Sequence, residues 1–414
     1  MSSASLELQR VDLLPRDLLR PLGAFEELFC LFDQQFPTNH ALAAQITGHT
    51  TVQWWRNALD AVQQRHPLLS ACIDTTFNRV PHFRRVNGQR IPLRVVTSPN
   101  ARWQREIAEA VNEPFTPDEA PLFRAVLLHQ ETHCIFILSS HHAVSDGISL
   151  MFVLRDILLA LSGQDLVVLP LAPSREILFG AQQRTSLEPG GPSFSAQRPR
   201  LPRVEGIRLS PGQTTALHHR ARQEGVTMHA VLSAALTVAG RAIDENWRNN
   251  SLRIMSPAEI RDILGIKDEC MVSFDIGEIS IEPGVSMTFW ELARFAKDGL
   301  SGVKSRENIS KMIDLQSEAV SSNITVEQAS QLKRNAFNAQ VVFSNLGRLS
   351  FDSTFGALTL ETLWAPVALR GIEGEQTIGA VTVNGSLHLT HTSPAPIRGL
   401  LAGMEEELRK ACAI

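Results

Sequence analysis

The sequence predicts a mixed α/β protein of two lobes, and three observations carry that expectation. The chain has 414 residues, 43% of them hydrophobic and 20% charged, enough for two cores and long for one. Strand-like and helix-like segments are mixed along it. From Leu169 to about Arg208, Pro, Gly, Ser and Arg accumulate, as in EPGGPSFSAQRPRLPR, and hydrophobic periodicity is lost, which is the composition of a linker. The expected organisation is an N-terminal lobe over residues 1–170, an inter-lobe linker over 171–208 and a C-terminal lobe over 209–414.

Along the chain, Thr51 to Gln64 carries bulky residues at Trp54, Trp55, Leu59 and Val62. That spacing predicts a helix with Thr51 as N-cap, stopped near Arg65 by Pro67. Phe83 to Val95 reads as a hairpin around Asn87 and Gly88, residues that readily take positive φ. PLFRAVLLHQ (Pro121 to Gln130) and CIFILSSHH (Cys134 to His142) read as adjacent antiparallel strands. After the turn AVSDG, Ile148 to Gly163 is too long and too apolar for a strand and ends in a glycine suited to a helix C-terminus. Val226 to Ile243 is a buried helix with Thr227 near its start. A second hairpin is predicted at Asn384 and Gly385, between Ala380 to Val383 and Ser386 to His391. A last segment runs from Ile397 to Ala411.

Composition excludes several classes. A formal net charge of −4 leaves no large basic footprint for nucleic acid. Cys30, Cys72, Cys134, Cys270 and Cys412 stand singly, without metal-site or disulfide spacing. A reducing compartment and no resident metal are expected. The opening residues show neither a basic n-region nor an apolar h-region, and no apolar run approaches bilayer length. A cytoplasmic protein without a membrane span is expected.

His141 to Gly147 reads HHAVSDG, the pattern HHxxxDG at a strand-to-helix junction. Background frequencies put a chance match at roughly one in a thousand chains of this length. Successive strand side chains face opposite ways, so one histidine is expected to enter a cavity and the other to serve the structure. A neutral imidazole at a strand end can accept a proton from a hydroxyl near neutral pH, which makes His142 the candidate general base. Asp146 directly precedes the helix and could cap it or pair with a cation. Ser344 and Asn345 are candidate donors to an oxyanion, or an ordinary strand-end turn. Arg198, Arg200, Arg203 and Arg208 could meet phosphates or an acidic carrier surface, although a solvated linker is the favoured reading of them. His66 is expected to support packing after the first helix.

HHAVSDG resembles the signature of the superfamily that contains nonribosomal peptide condensation domains, chloramphenicol acetyltransferase and stand-alone alcohol acyltransferases such as the mycobacterial dimycocerosyl transferases. RPLGAFEELF (Arg20 to Phe29), RHPLL (Arg65 to Leu69), APLFRAVLL (Ala120 to Leu128), VTMHAVLSAAL (Val226 to Leu236), SPAEIR (Ser256 to Arg261) and VVFSNLGRL (Val341 to Leu349) resemble segments of the stand-alone members in order. The plant subgroup's DFGWG is absent, and FSNLG (Phe343 to Gly347) stands in its region. The resemblance implies two chloramphenicol acetyltransferase-like lobes, each a mixed sheet with helices, and an interface tunnel with His142 at its middle. It implies that Asp146 pairs with Arg261 in the second lobe, that His141 is structural and that Gly147 gives the turn its shape. It also implies direct transfer from an acyl thioester, acyl-CoA or a phosphopantetheinyl carrier protein, to an alcohol or, less readily, an amine. No permanently bound cofactor is implied, and a monomer is expected.

Three other readings compete. Hx4D over His141 to Asp146 would suit a glycerolipid acyltransferase, a membrane-associated class. Two histidines and an aspartate could ligate a metal, although opposite strand faces argue against it. A condensation-like module could merely dock a carrier protein, but such modules tend to lose the second histidine or the glycine, and both are present here.

Overall fold

The computed structural model describes residues 15–77, 80–181, 200–322, 324–336 and 338–412. Seven strands come first: β1 (Leu18–Pro21), β2 (His40–Thr47), β3 (Ala71–Asp74), β4 (His82–Arg85), β5 (Leu93–Val96), β6 (Phe123–Gln130) and β7 (His133–Ser140). After residue 200 follow β8 (Arg203–Arg208), β9 (Leu252–Glu259), β10 (Phe274–Ile281), β11 (Val341–Arg348), β12 (Thr354–Phe355), β13 (Leu358–Ala368), β14 (Gln376–Val383) and β15 (Ser386–Ser393). They form two six-stranded mixed sheets, ordered β12-β13-β2-β7-β6-β5 and β10-β9-β11-β14-β15-β8, and a small antiparallel sheet β1-β4-β3.

Parity explains the first sheet. On β2, Leu42, Ala44 and Ile46 face the large core beneath the sheet, while Ala41 and Ala43 face a smaller core with Ile107 and Val111 of the helix Trp103–Asn112. β7 divides likewise, with Cys134, Phe136 and Leu138 on one side and Ile137 on the other. The second lobe's core gathers around the helix Met228–Ile243, whose small residues Ala230, Ala234, Ala235 and Ala239 are buried. Thr51 caps the helix Val52–Arg65 by accepting from the Trp54 amide, and Thr227 caps Met228–Ile243 by accepting from Ala230. His66 closes the first of these helices, fully buried, with its Nε2 2.8 Å from Asp156.

Asn384 and Gly385 both take positive φ, 49° and 72°, and join β14 to β15 in a hairpin as expected. Asn87 and Gly88 do not make one. β4 pairs with β1 and β3, whereas β5 leaves to pair in parallel with β6. The local turn preference is real, with Gly88 at φ 82°, but the strand after it found a longer partner elsewhere.

Two segments cross the organisation read from composition. Arg203–Arg208, assigned to the linker, is the edge strand β8 paired with β15; residues 182–199, Arg198 among them, lie outside the described residues. β13 belongs by sequence to the C-terminal lobe, yet it pairs with β2 and so completes the first lobe's sheet. The sheets meet where Trp364 of β13 stacks on Trp103, with ring centroids 5.1 Å apart, over Gly206 of β8, where a Cβ would come within 2.8 Å of the Trp364 ring. Among the described residues no single helix is long and apolar enough to cross a membrane.

Gly379 of β14 lets the crossing strand approach, since a Cβ there would sit 2.3 Å from the Pro366 carbonyl and 2.4 Å from Thr390 Oγ1. Neither a backbone carbonyl nor a hydroxyl bonded to it at 3.1 Å yields easily. Gly379→Ala should cost about 1–3 kcal/mol as overpacking, read as a lowered urea midpoint. An unchanged midpoint would show that β13 is not seated as described.

Candidate active site

β7 ends at Ser140, and the two histidines follow it in the turn. His141 is fully buried; its Nδ1 accepts from the Ala143 amide at 3.0 Å and its Nε2 lies 3.6 Å from Asp33. It fixes the turn from behind. His142 instead lines a cavity of about 1060 Å³ between the lobes. Its Nδ1 donates to the Ser145 carbonyl at 3.1 Å, which sets the tautomer and leaves the lone pair on Nε2.

Aromatic and imidazole rings hold His142 in place. The Phe29 ring stacks on it at 4.2 Å and 8°, Phe274 lies 5.5 Å away, and His40 stands at 4.3 Å. His40 Nε2 is 3.2 Å from both the Ser140 and Ser145 hydroxyls, which also bond each other. Burial pushes the His142 imidazole down to about 4, against a smaller opposing pull from Asp146, so the ring is neutral at physiological pH.

Asp146 both caps and pairs, where the sequence left these as alternatives. Its Oδ1 accepts from the Ser149 amide at 2.7 Å, from the Ser149 hydroxyl at 2.8 Å and from Arg261 Nη2 at 3.0 Å. Its Oδ2 accepts from the amide and hydroxyl of Ser273 at 2.9 and 2.8 Å. Burial raises its carboxyl, but Arg261 and these donors more than offset that and hold it down to about 2. Arg261 Nη1 also donates to the Glu269 carbonyl at 2.8 Å. The helix Gly147–Leu161 is thus tied at its first turn to the second lobe.

Gly147 does not take a positive φ, so its role does not come from left-handed backbone. A Cβ there would lie 2.8 Å from Leu346 Cδ2, and the glycine serves the close approach of the second lobe. Ser344 and Asn345 of β11 line the same cavity as His142. Asn345 Oδ1 accepts from the Gly347 amide at 2.9 Å, which leaves its Nδ2 group for another acceptor. Cys134 is remote: buried in the first core, opposite Ile46 and His129, with burial pushing its thiol up to about 12.

The three metal candidates do not converge, because His141 Nδ1 and both Asp146 oxygens already accept protein hydrogen bonds. The sequence reading missed Phe29, His40 and the Ser149 and Ser273 partners of Asp146. Only Ser149 had a local signal, three residues after a capping Asp.

The cavity meets a wider groove of about 2100 Å³ at Ile148, Pro257, Glu259, Asn345 and Leu346. Arg155, Lys267, Lys304 and Arg348 line that groove together with Asp262 and Asp268.

Asp146→Ala and Arg261→Ala should each cost about 3–5 kcal/mol by stranding a buried charge. The double variant should cost less than the two together by about 0.5–3 kcal/mol. Additivity in denaturant titrations would mean that the pair does not interact.

Residues 30–173 match the Condensation domain family, and residues 198–265 match the family described as phthiocerol/phthiodiolone dimycocerosyl transferase C-terminus. A linear gramicidin synthase from Brevibacillus parabrevis is 28% identical over 201 residues, 42% of this chain, which spans only 2% of that relative's length. Polyketide synthase associated protein 5 of Mycobacterium tuberculosis has the same fold, with a TM-score of 0.69 at 15% identity over 97% of this chain and 100% of that one. The trichothecene 15-O-acetyltransferase of Fusarium sporotrichioides follows at 0.68 and 12% identity, over 96% of both chains. By sequence the chain is similar to the condensation domain and to the dimycocerosyl transferase C-terminus, and by fold to the polyketide synthase associated protein and the trichothecene acetyltransferase.

Proposed function

We propose that this chain is an acyltransferase that moves an acyl group directly from a thioester donor to a hydroxyl acceptor, with His142 as general base. The carrying observation is the imidazole itself, neutral, tautomerically fixed through the Ser145 carbonyl and turned into a cavity between two lobes. His142 Nε2 removes the acceptor's proton as its oxygen attacks the thioester carbon. The C–O bond forms, the C–S bond breaks, and the proton passes to the departing thiolate. Ser344 and Asn345 line the same cavity, and their Oγ and Nδ2 groups are the candidate donors to the oxyanion. The adjoining groove admits the pantetheine arm of the donor, acyl-CoA or a carrier protein, and the acceptor uses the other end of the cavity.

Incubation with panels of acyl thioesters and alcohols, with esters detected by mass, tests the reading; absence of product from every pair would sink it. His142→Ala should lower the rate by about a hundred- to ten-thousand-fold with an unchanged circular dichroism spectrum. Because its folded pKa is lowered, the base form persists as pH falls, and activity is lost only as pH drops through that value. The profile of kcat/KM should therefore stay level down to about pH 5 and then decline, with an apparent pKa well below the ordinary imidazole value of about 6.5. An inflection above that value would indicate another base.

Direct transfer requires no acyl-enzyme. β7 is unbroken from His133 to Ser140, so Cys134 stands about 20 Å from the strand's end at roughly 3.3 Å per residue. Cys134→Ser should keep most activity, and a labelled thioester without acceptor should leave the protein unlabelled. Label that survives denaturation and is discharged by alcohol would replace the direct mechanism, with Ser344 the first residue to inspect.

A further inference from the structure

General base, oxyanion donors and donor groove together use no cation of the cavity wall, yet Lys333 supplies one. Lys333 lies in the last turn of the helix Val326–Ala336, is 7% exposed and lines the same cavity as His142. Its Nζ has no hydrogen-bond partner among the described residues and sits 5.5 Å over the Phe32 ring. Phe29 and Phe32 are one turn apart on the helix Ala24–Asp33. The ring that stacks on His142 and the ring beneath Lys333 thus belong to one helix face, which joins the two residues across the wall of the cavity they both line.

The acids around Lys333 are committed elsewhere. Asp33 Oδ1 accepts from the Thr38 amide at 2.6 Å and hydroxyl at 3.2 Å, and its Oδ2 faces His141 at 3.6 Å. Glu375 accepts from the amides of Arg370 and Gly371 at 2.6 and 3.0 Å. Thr38, Lys333 and Arg370 line the cavity, whereas Asp33 and Glu375 do not. Burial lowers the lysine to about 8, against the pull of Glu375 and Asp33, so it is mainly charged at pH 7. An ammonium buried without a hydrogen-bond acceptor is costly, and what would relieve it is an acceptor that arrives with the ligand.

We propose that Lys333, with Arg370 beside it, binds a carboxylate carried by a transfer substrate, which makes the acceptor a hydroxy or amino acid rather than a neutral alcohol. The inference rests on the acyltransferase reading for the word acceptor, but not for the binding itself. One carboxylate matches one unpartnered ammonium, and the walls between it and His142, Phe29, Phe32 and Ile276 among them, suit an apolar spacer. The same chemistry could instead sit on the acyl group, as in the thioester of a dicarboxylic acid.

Calorimetric titration separates these. 3-Hydroxybutyrate, 3-hydroxyoctanoate, 4-hydroxybenzoate and L-serine are each compared with their methyl esters, and succinyl-CoA with butyryl-CoA, on the wild-type chain and on Lys333→Met. The expected result is at least one acid bound about tenfold or more tighter than its ester, with the preference lost in Lys333→Met while ester binding stays. A Lys333-dependent preference for succinyl-CoA over butyryl-CoA would support the carboxylate site and assign it to the acyl group. The proposal is overturned if no acid and no succinyl thioester is preferred, if Lys333→Met keeps the preference, or if that variant melts well below wild type. The last result would give Lys333 a structural ion-pairing role. Because binding is read without turnover, a chain that binds the acid through Lys333 but transfers nothing would sink the acyltransferase reading and leave this one standing.

Discussion

Five hydrogen bonds to one carboxylate hold the site together. Asp146 takes them from the first turn of its own helix and from Arg261 and Ser273 of the other lobe. The turn between β7 and that helix is only a few residues long, so pinning its last residue also positions the Ser145 carbonyl. That carbonyl in turn holds His142 Nδ1. A buried ion pair adds little net stability over an apolar replacement, so its value here is positional: the lobes cannot separate without stranding a charge. Asp146 lies within reach of His142 electrostatically, but its hydrogen-bonding capacity is spent on structure and none of it reaches the imidazole.

The environment of His142 trades basicity for readiness. Phe29, Phe274 and His40 exclude water from most of the ring, and the lowered pKa guarantees a free lone pair at neutral pH. The resulting imidazolium would be poorly solvated, so proton transfer must coincide with charge appearing on the substrate. Donors placed where that charge develops gain strength in the same dry site. Ser344 and Asn345, the donors proposed for that charge, lie on β11 in the second lobe's sheet, while His142, the proposed base, follows β7 of the first. The proposed catalytic geometry therefore depends on lobe registry, which the Asp146 contacts and the crossing strand β13 both enforce.

What the sequence made legible was local. Thr51, Thr227 and Asp146 cap helices because a short polar side chain before an apolar periodic run has one good use. Asn384 and Gly385 turn because both strands they join are apolar and adjacent. Asn87 and Gly88 carried the same local signal, but β5 gained more from β6, a partner thirty residues on, than from β4. β8 hid in an Arg-rich stretch because an edge strand needs few buried side chains, and only Val204 is buried there. The journey of β13 to β2 left no local trace at all. Within the site, the motif named His142 and Asp146, whereas Phe29, His40 and Lys333 come from segments whose meeting depends on the whole fold.

Lys333 breaks the rule that natural cores obey elsewhere in this chain. Arg65 and His66 share Asp156, and Arg20 is bound to Glu26 through two hydrogen bonds at 2.7 Å. Those arginine charges are neutralised by carboxylates within the protein. Lys333 is as deeply buried, yet it lines the cavity that holds His142 and its Nζ has no hydrogen-bond partner among the described residues. Departures from local consistency concentrate where function requires them. If His142 is the base and Lys333 the carboxylate site, as proposed, the two would select a ligand by the distance between its nucleophile and its charge. Shape alone, in a cavity with these yielding aromatic and aliphatic walls, would discriminate far less.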